Sequence, residues 1–357
     1  MKIYRNCMLA LVLFVIALAS TVAMAQDAKK LNIFSWSQYM DPDIIKQFEE
    51  KYDVEVVQNY YGSLPQMFSK LRAGGASLYD IIIPSSYYVP RLIDTGLLQP
   101  LNKELIPNLD NIMPRFKSPP FDPDNKYTVA YQWGTTGLAY NTEMLPDAPQ
   151  SWAILFDPEV NPDLPFVLST DAQVMLGVAC AYQGQPYTCT GADHWKQAAQ
   201  LILKTKKRRN SNGFMDNTPM LRELARGNIA AGVSYNGDYV FVKAHNPEAY
   251  ANTKFVLPQE GAELWLDSMA IPVDAPHPEL ANKFINFILD AKIGAQLSNY
   301  NYYATPNEAA VQYLEPALKE PPVMPTEEQM ERVHYTPTLK GEELQLMQQL
   351  WTAVLSQ

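Results

Sequence analysis

The chain has 357 residues, 47% of them hydrophobic and 18% charged, and carries a formal net charge of −10. That size and apolar content are enough to bury a full core, expected in two domains, which excludes a disordered protein. The acidic balance argues against a nucleic-acid binder, which needs clustered Lys and Arg, and suits a small cationic ligand, although acidity also serves solubility.

Residues 1–25 read as a removable export signal: Lys2 and Arg5, an apolar run from Met8 to Ala19, then the small-x-small site Ala23-Met24-Ala25, with cleavage expected after Ala25. The run is too short to span a bilayer comfortably, and no later stretch reaches the ~20 consecutive apolar residues a spanning helix needs. Lys2 and Arg5 leave with the signal and no acid does, so the product has a net charge of about −12. It is expected to be soluble and exported to the periplasm. Cys7 precedes the apolar run, so it does not mark a lipoprotein.

Leu31 to Trp36 alternates like a strand. Asp41-Pro42 supplies an N-cap and an N1 proline to a helix that carries Ile44, Ile45, Phe48 and Tyr52 on one face. Val54 to Tyr61 returns to strand, Ser63 opens a helix with Met67, Phe68 and Leu71, and Gly74-Gly75 ends it. Tyr79 to Pro84 is a third strand, apolar enough at Ile81, Ile82 and Ile83 to be buried on both faces. This alternation predicts a parallel α/β sheet whose ligand lies beyond the carboxyl ends of the strands, where Trp36 and Ser85 to Tyr87 fall. A second α/β segment is expected from near Trp133: strands over Pro165–Thr170, Ile229–Tyr235, Phe255–Leu257 and Leu264–Pro272, and helices over Ala172–Ala181, His194–Leu203 and Pro278–Leu289. No flexible linker separates the halves, which fits two lobes joined by more than one crossing.

Cys180 and Cys189 lie nine apart around Gln183-Gly184-Gln185-Pro186, and in an oxidising compartment a disulfide between them is a candidate. His194, His245, His277 and His334 are scattered, with no metal-ligand spacing. There is no G-x-S-x-G, P-loop or G-x-G-x-x-G, so no catalytic residue, metal or cofactor is expected. The basic run Lys204, Lys206, Lys207, Arg208 and Arg209 reads as a solvated helix C-terminus or, more sharply, as a docking patch for a partner.

The informative feature is aromatic residues set beside small polar or acidic ones at strand ends: Trp36-Ser37-Gln38-Tyr39, Ser85-Ser86-Tyr87-Tyr88, Tyr235-Asn236-Gly237-Asp238, Trp265-Leu266-Asp267 and Tyr302-Tyr303. Rings and carboxylates together suit an elongated organic cation, whose methylenes pack on ring faces while its ammonium groups take cation–π and charge-assisted contacts.

These stretches, with Tyr79-Asp80-Ile81-Ile82-Ile83-Pro84, Trp133-Gly134-Thr135-Thr136-Gly137, Ser268-Met269-Ala270-Ile271-Pro272 and Thr305-Pro306-Asn307, resemble the periplasmic spermidine/putrescine-binding proteins of ABC polyamine importers. The resemblance runs from about Leu31 to Asn307. It implies the two-lobed, type II periplasmic binding-protein fold, an α/β fold of parallel-sheet lobes joined by a hinge, with lobe 1 over 26–134 and 268–308 and lobe 2 over 135–267 and 309–357. It further implies Trp36 and Trp265 as ring walls, completed by Tyr39, Tyr87 and Tyr303, with Asp267 and Asp171 as amine-binding carboxylates. Tyr235 stands where the family usually has Trp, Asp238 matches the putrescine-type aspartate, and Ser37 and Ser85 would supply polar contacts. The chain departs from the family at Gln38, where an acid is usual, and at Val174, where spermidine-type members carry a glutamate. Three retained acids, Asp171, Asp238 and Asp267, favour a triamine such as spermidine or norspermidine.

The implied partners are the polyamine and an inner-membrane ABC permease or, as an alternative, a membrane-bound sensory receptor read by the same closed form. The protein is expected to act as a monomer and to bind no nucleic acid. Paired carboxylates and rings also build glycosidase clefts, but no acid/base pair of suitable separation supports an enzyme here.

Overall fold

The computed structural model describes residues 29–357. The predicted export signal, with Cys7, lies outside them.

Ten strands form one mixed sheet: β1 (Lys29–Ser35), β2 (Val54–Tyr60), β3 (Ile81–Ile82), β4 (Thr128–Asn141), β5 (Phe166–Ser169), β6 (Ser211–Met215), β7 (Ala231–Tyr235), β8 (Thr253–Val256), β9 (Ala262–Ala270) and β10 (Val333–Tyr335). The main path runs β2-β1-β3-β9-β4-β7-β5-β6, with β8 beside β4 and β10 beside β9. At the two ends the pairs β1–β2, β1–β3, β5–β6 and β5–β7 are parallel, as the alternation of strands and helices predicts. At the centre β4 runs antiparallel to β7, β8 and β9, and β3 meets β9 antiparallel. The expected parallel order therefore fails at the centre, where the two long strands β4 and β9 pair with each other in opposite directions.

Helix starts follow local chemistry. Asp41 caps the helix Pro42–Tyr52 by accepting from the Asp43 N–H, and Ile44, Ile45 and Phe48 turn inward. Ser63 accepts from Gln66 N–H at the start of Leu64–Arg72. The predicted strand Tyr79–Pro84 contracts to Ile81–Ile82, because only these residues find ladder partners on β1. The expected start of a second segment near Trp133 falls inside β4, all 14 of whose residues are buried. A strand covered on both faces has no alternating pattern to announce it.

Cys180 and Cys189 are joined as a disulfide, with Cα atoms 6.3 Å apart. The basic run ends the helix Ala192–Lys206, as expected, with Lys204, Lys207 and Arg209 exposed, whereas Lys206 and Arg208 are engaged by the rest of the chain. Lys206 Nζ donates to the carbonyls of Val354 and Leu355 at the end of the C-terminal helix Gly341–Ser356. Arg208 donates to the Leu155 and Asn161 carbonyls and stacks over Phe166.

Candidate functional site

β9 contributes the spine of the site. Side chains alternate along a strand, so Glu263, Trp265 and Asp267 share one face. Their partners in register on β4 are Thr136, Gly134 and Gln132. A Cβ at Gly134 would stand 2.3 Å from the Trp265 ring and 2.5 Å from Asn236 Oδ1, so only glycine lets the indole lie against β4. Trp265 is edge-on to Tyr303, at 4.9 Å between ring centroids, and to Tyr235 at 6.4 Å, while Tyr303 meets Tyr39 at 5.7 Å. The aromatic residues singled out from four separate stretches therefore form one cage. Gly237 holds it open in the same way, since a Cβ there would lie 2.2 Å from the Tyr303 ring.

Four carboxylates enter this cage or its margins. Asp267 is buried and accepts from Ser85 Oγ at 2.5 Å, across an isolated bridge between those two residues. Burial raises its pKa to about 6 against the lowering effects of Ser85 and of the nearby Tyr39 hydroxyl. That hydroxyl is itself buried and lies close to Asp267 but outside hydrogen-bonding geometry, with no other partner among the described residues. Asp238, in the first turn of the helix Asn236–His245, accepts from Tyr303 and from Asn217, each at 2.5 Å, and burial raises its pKa. Asp171 caps the helix Ala172–Tyr182, its Oδ1 accepting from the Gln173 and Val174 N–H groups, and burial raises it despite those bonds.

Glu263 is the acid that sequence reasoning missed. It is 4% exposed and is held by Thr136 Oγ1 at 2.5 Å and Thr336 Oγ1 at 2.7 Å. Burial first, and then the Asp171 charge, push it up to about 7. The signal was present as an acid two before Trp265 and four before Asp267 in an otherwise apolar strand.

The tyrosines record how the acids are arranged. Burial, then Asp171 and Glu263, raise Tyr87, whereas Tyr303 is raised by burial, Asp238 and Asp267. Tyr235 is raised by burial and by all four, Asp171 and Glu263 ahead of Asp238 and Asp267. Tyr235 thus feels all four acids, while Asp171 and Glu263 act on Tyr87 and Asp238 and Asp267 on Tyr303. Among the described residues the ion pairs all lie elsewhere, so no Lys, Arg or His neutralises any of the four. Buried carboxylates left without a counter-charge are costly, and a multiply charged organic cation would offset that cost.

Of the remaining predicted residues, Trp36 is half-buried, edge-on to Tyr61 at 4.6 Å. Ser37 is not brought in: the chain turns through Ser37 and Gln38, Gln38 takes a φ of 56°, and both side chains are exposed. The Gln38 departure therefore falls on the surface, whereas Val174 is buried behind Asp171. A separate depression of about 650 Å³, lined by Tyr239, Lys243, Phe255 and Pro321 among others, has Glu320 as its acid, and Glu320 is exposed. No group of metal-ligating side chains occurs among the described residues.

Comparison with known proteins bears out the family resemblance. The profile of the bacterial extracellular solute-binding protein family matches residues 43–326. A putrescine/cadaverine-binding protein of Pseudomonas aeruginosa is 33% identical over 97% of this chain and 99% of its own. A spermidine/putrescine-binding periplasmic protein of Escherichia coli is 31% identical over 85% of each chain. Among solved structures, a spermidine/putrescine ABC transporter substrate-binding protein from Streptococcus pneumoniae superposes with a TM-score of 0.81 at 28% identity, covering 92% of this chain and 99% of that one. The similarity thus continues past Asn307, where the motifs read from the sequence stop.

Proposed function

The chain belongs to the bacterial extracellular solute-binding protein family, and on that premise we propose that it is a periplasmic polyamine-binding protein that hands its ligand to an inner-membrane ABC permease. The fold is the type II periplasmic binding-protein fold, and the family binds solutes rather than transforming them. The observation that carries the reading is the pairing of an aromatic cage with four carboxylates, Glu263 and Asp267 buried and Asp171 and Asp238 partly buried, with no neutralising cation among the described residues. Methylene stems would lie on Trp265, Tyr303 and Tyr39 while ammonium groups reach the acids, each desolvated cation–π contact adding about 0.5–2 kcal/mol. The names of the relatives support the same class of ligand.

The two lobes remain assigned to 26–134 with 268–308 and to 135–267 with 309–357. Two of the three breaks then fall in the central strands β4 and β9, near the β4 bulge between Ala130 and Gln132, and this favours a hinge there. Closure about it would bring Tyr303 from one lobe onto Asp238 of the other, and the ligand would stabilise the closed form by preferring it to the open one.

Calorimetric titration with putrescine, cadaverine, spermidine and norspermidine tests this directly. Binding of at least one, weakened about tenfold or more by Trp265→Ala, is expected. Failure of all four to bind overturns the function, and unchanged affinity in Trp265→Ala overturns the site.

A further inference from the structure

We propose that Gln132 and Asn301 form a positioning pair: their interlocked side-chain amides hold Tyr303 in its cage orientation before any ligand arrives, so that affinity depends on two residues that need not touch the polyamine. This rests on the polyamine-binding reading above.

Gln132 is fully buried on β4, in register with Asp267 on β9. Its Oε1 accepts from Asn301 Nδ2 at 2.5 Å, and its Nε2 donates to Ser298 Oγ at 3.3 Å, one turn earlier on the helix Ala291–Asn301. A glutamine in a buried strand needs both halves of its amide satisfied, and here both are. Asn301, also buried, carries the contact forward to the cage. Its Nδ2 donates as well to the Tyr39 carbonyl at 3.4 Å, and its Oδ1 accepts from the Tyr303 N–H at 3.1 Å. A backbone carbonyl can only accept and a backbone N–H can only donate. These two groups therefore decide which way the Asn301 amide faces, and Asn301 in turn decides the Gln132 amide.

The pair acts where the chain needs holding. Tyr302 takes a φ of 64° and a ψ of 15°, a left-handed conformation that residues other than glycine disfavour. That turn brings the Tyr303 ring edge-on to Trp265 and its hydroxyl onto Asp238. Beyond Tyr303, Ala304 is fixed by two backbone bonds to Trp133, and Asn301 supplies the fixed point on the other side. Tyr39 has a second tether, because Tyr131 donates its hydroxyl to the same carbonyl at 2.7 Å. Loss of the pair therefore falls on Tyr303. Gln132, Ser298, Asn301 and Tyr303 all belong to segments assigned to lobe 1, so the pair needs no closure to form and presents Tyr303 ready to meet Asp238 of lobe 2.

The test is calorimetry of the full mature protein with spermidine and putrescine. The variants are Gln132→Met and the double change Gln132→Met with Asn301→Leu, each made with Tyr303 present and again beside Tyr303→Ala. The double change replaces both amides by apolar side chains of similar size, which spares the fold the unpaired donor that the single change leaves. For each polyamine that wild type binds, affinity is expected to fall about tenfold or more in either variant, but less than about threefold further when Tyr303→Ala is already in place. Unchanged affinity overturns the proposal. So does a loss equally large beside Tyr303→Ala, the outcome of a merely structural role. Should neither variant fold, amide hydrogen exchange of wild type decides: the Tyr303 N–H is expected to be protected without ligand and little changed by spermidine, and protection that arises only with spermidine overturns the proposal. Wild type that binds neither polyamine overturns the binding reading and this assignment together, whereas the variant results overturn this assignment alone.

Discussion

Glu263 and Asp267 are kept out of water without a counter-ion, and that choice has a cost in the ligand-free protein. Both have folded-state pKa values raised above their ordinary ones, to about 7 and about 6. Their contribution to stability is therefore fully present below about pH 4 and is lost as pH rises through 6 to 7. For Glu263 the loss is about 3 kcal/mol, taking 1.36 kcal/mol per pKa unit. Glu263→Gln should accordingly raise the melting temperature of the empty protein at pH 8 by several degrees and flatten its decline between pH 5 and pH 8. A melting temperature at pH 8 that is unchanged or lower would show that the carboxylate is already compensated. Asp267→Asn should weaken every polyamine about tenfold or more, since Ser85 and Tyr39 converge on that carboxylate; titration showing wild-type affinity would remove Asp267 from the site.

Strands β4 and β9 carry most of the site, and their close contact depends on glycine. Gly134→Ala would drive a methyl into the Trp265 ring and into Asn236, which accepts from Thr135 N–H and donates to the carbonyls of Pro322 and Val323. The expected result is polyamine affinity reduced about tenfold or more with near-native far-ultraviolet circular dichroism and altered tryptophan fluorescence. Native fluorescence and affinity would contradict the packing described. Legibility differed between elements for physical reasons. Helix starts at Asp41-Pro42 and Ser63 were readable because capping is local chemistry. Seven of the ten strands and three more helices, Ala172–Tyr182, Ala192–Lys206 and Pro278–Ile288, fall within a few residues of the expected spans, whereas β6, β10 and helices such as Asn217–Ala225, Asn236–His245 and Ala291–Asn301 were not among the expected elements. Nor was β4, because burial on both faces erases alternation, and the C-terminal helix Gly341–Ser356 passed unnoticed. At the site, the ring-and-acid stretches pointed to residues that the fold does bring together. Glu263 carries no local signal beyond an acid in an otherwise apolar strand, and its burial follows only from the pairing of β9 with β4 and β10, while the turn at Ser37 and Gln38 leads that serine to the surface.

Across the whole molecule, the proposed lobes meet through few exposed charges and one buried site. Arg115 Nη2 donates to both carboxylate oxygens of Glu327, at 3.2 and 3.0 Å, and Lys340 pairs with Asp94; each joins segments assigned to different lobes. Exposed pairs of this kind are worth about 0–1 kcal/mol each, so Arg115→Ala with Lys340→Ala should change polyamine affinity by less than about thirtyfold. A larger loss by calorimetry would move the work of closure from the buried acids to the rim. The buried acids themselves are tested most directly by a crystal structure of the protein grown with spermidine. One ammonium group should lie within hydrogen-bonding distance of Asp267, another against Asp171 and Glu263, with methylenes on the Trp265 ring. Spermidine found in the depression beside Tyr239 and Pro321, with those four side chains untouched, would contradict the assignment outright.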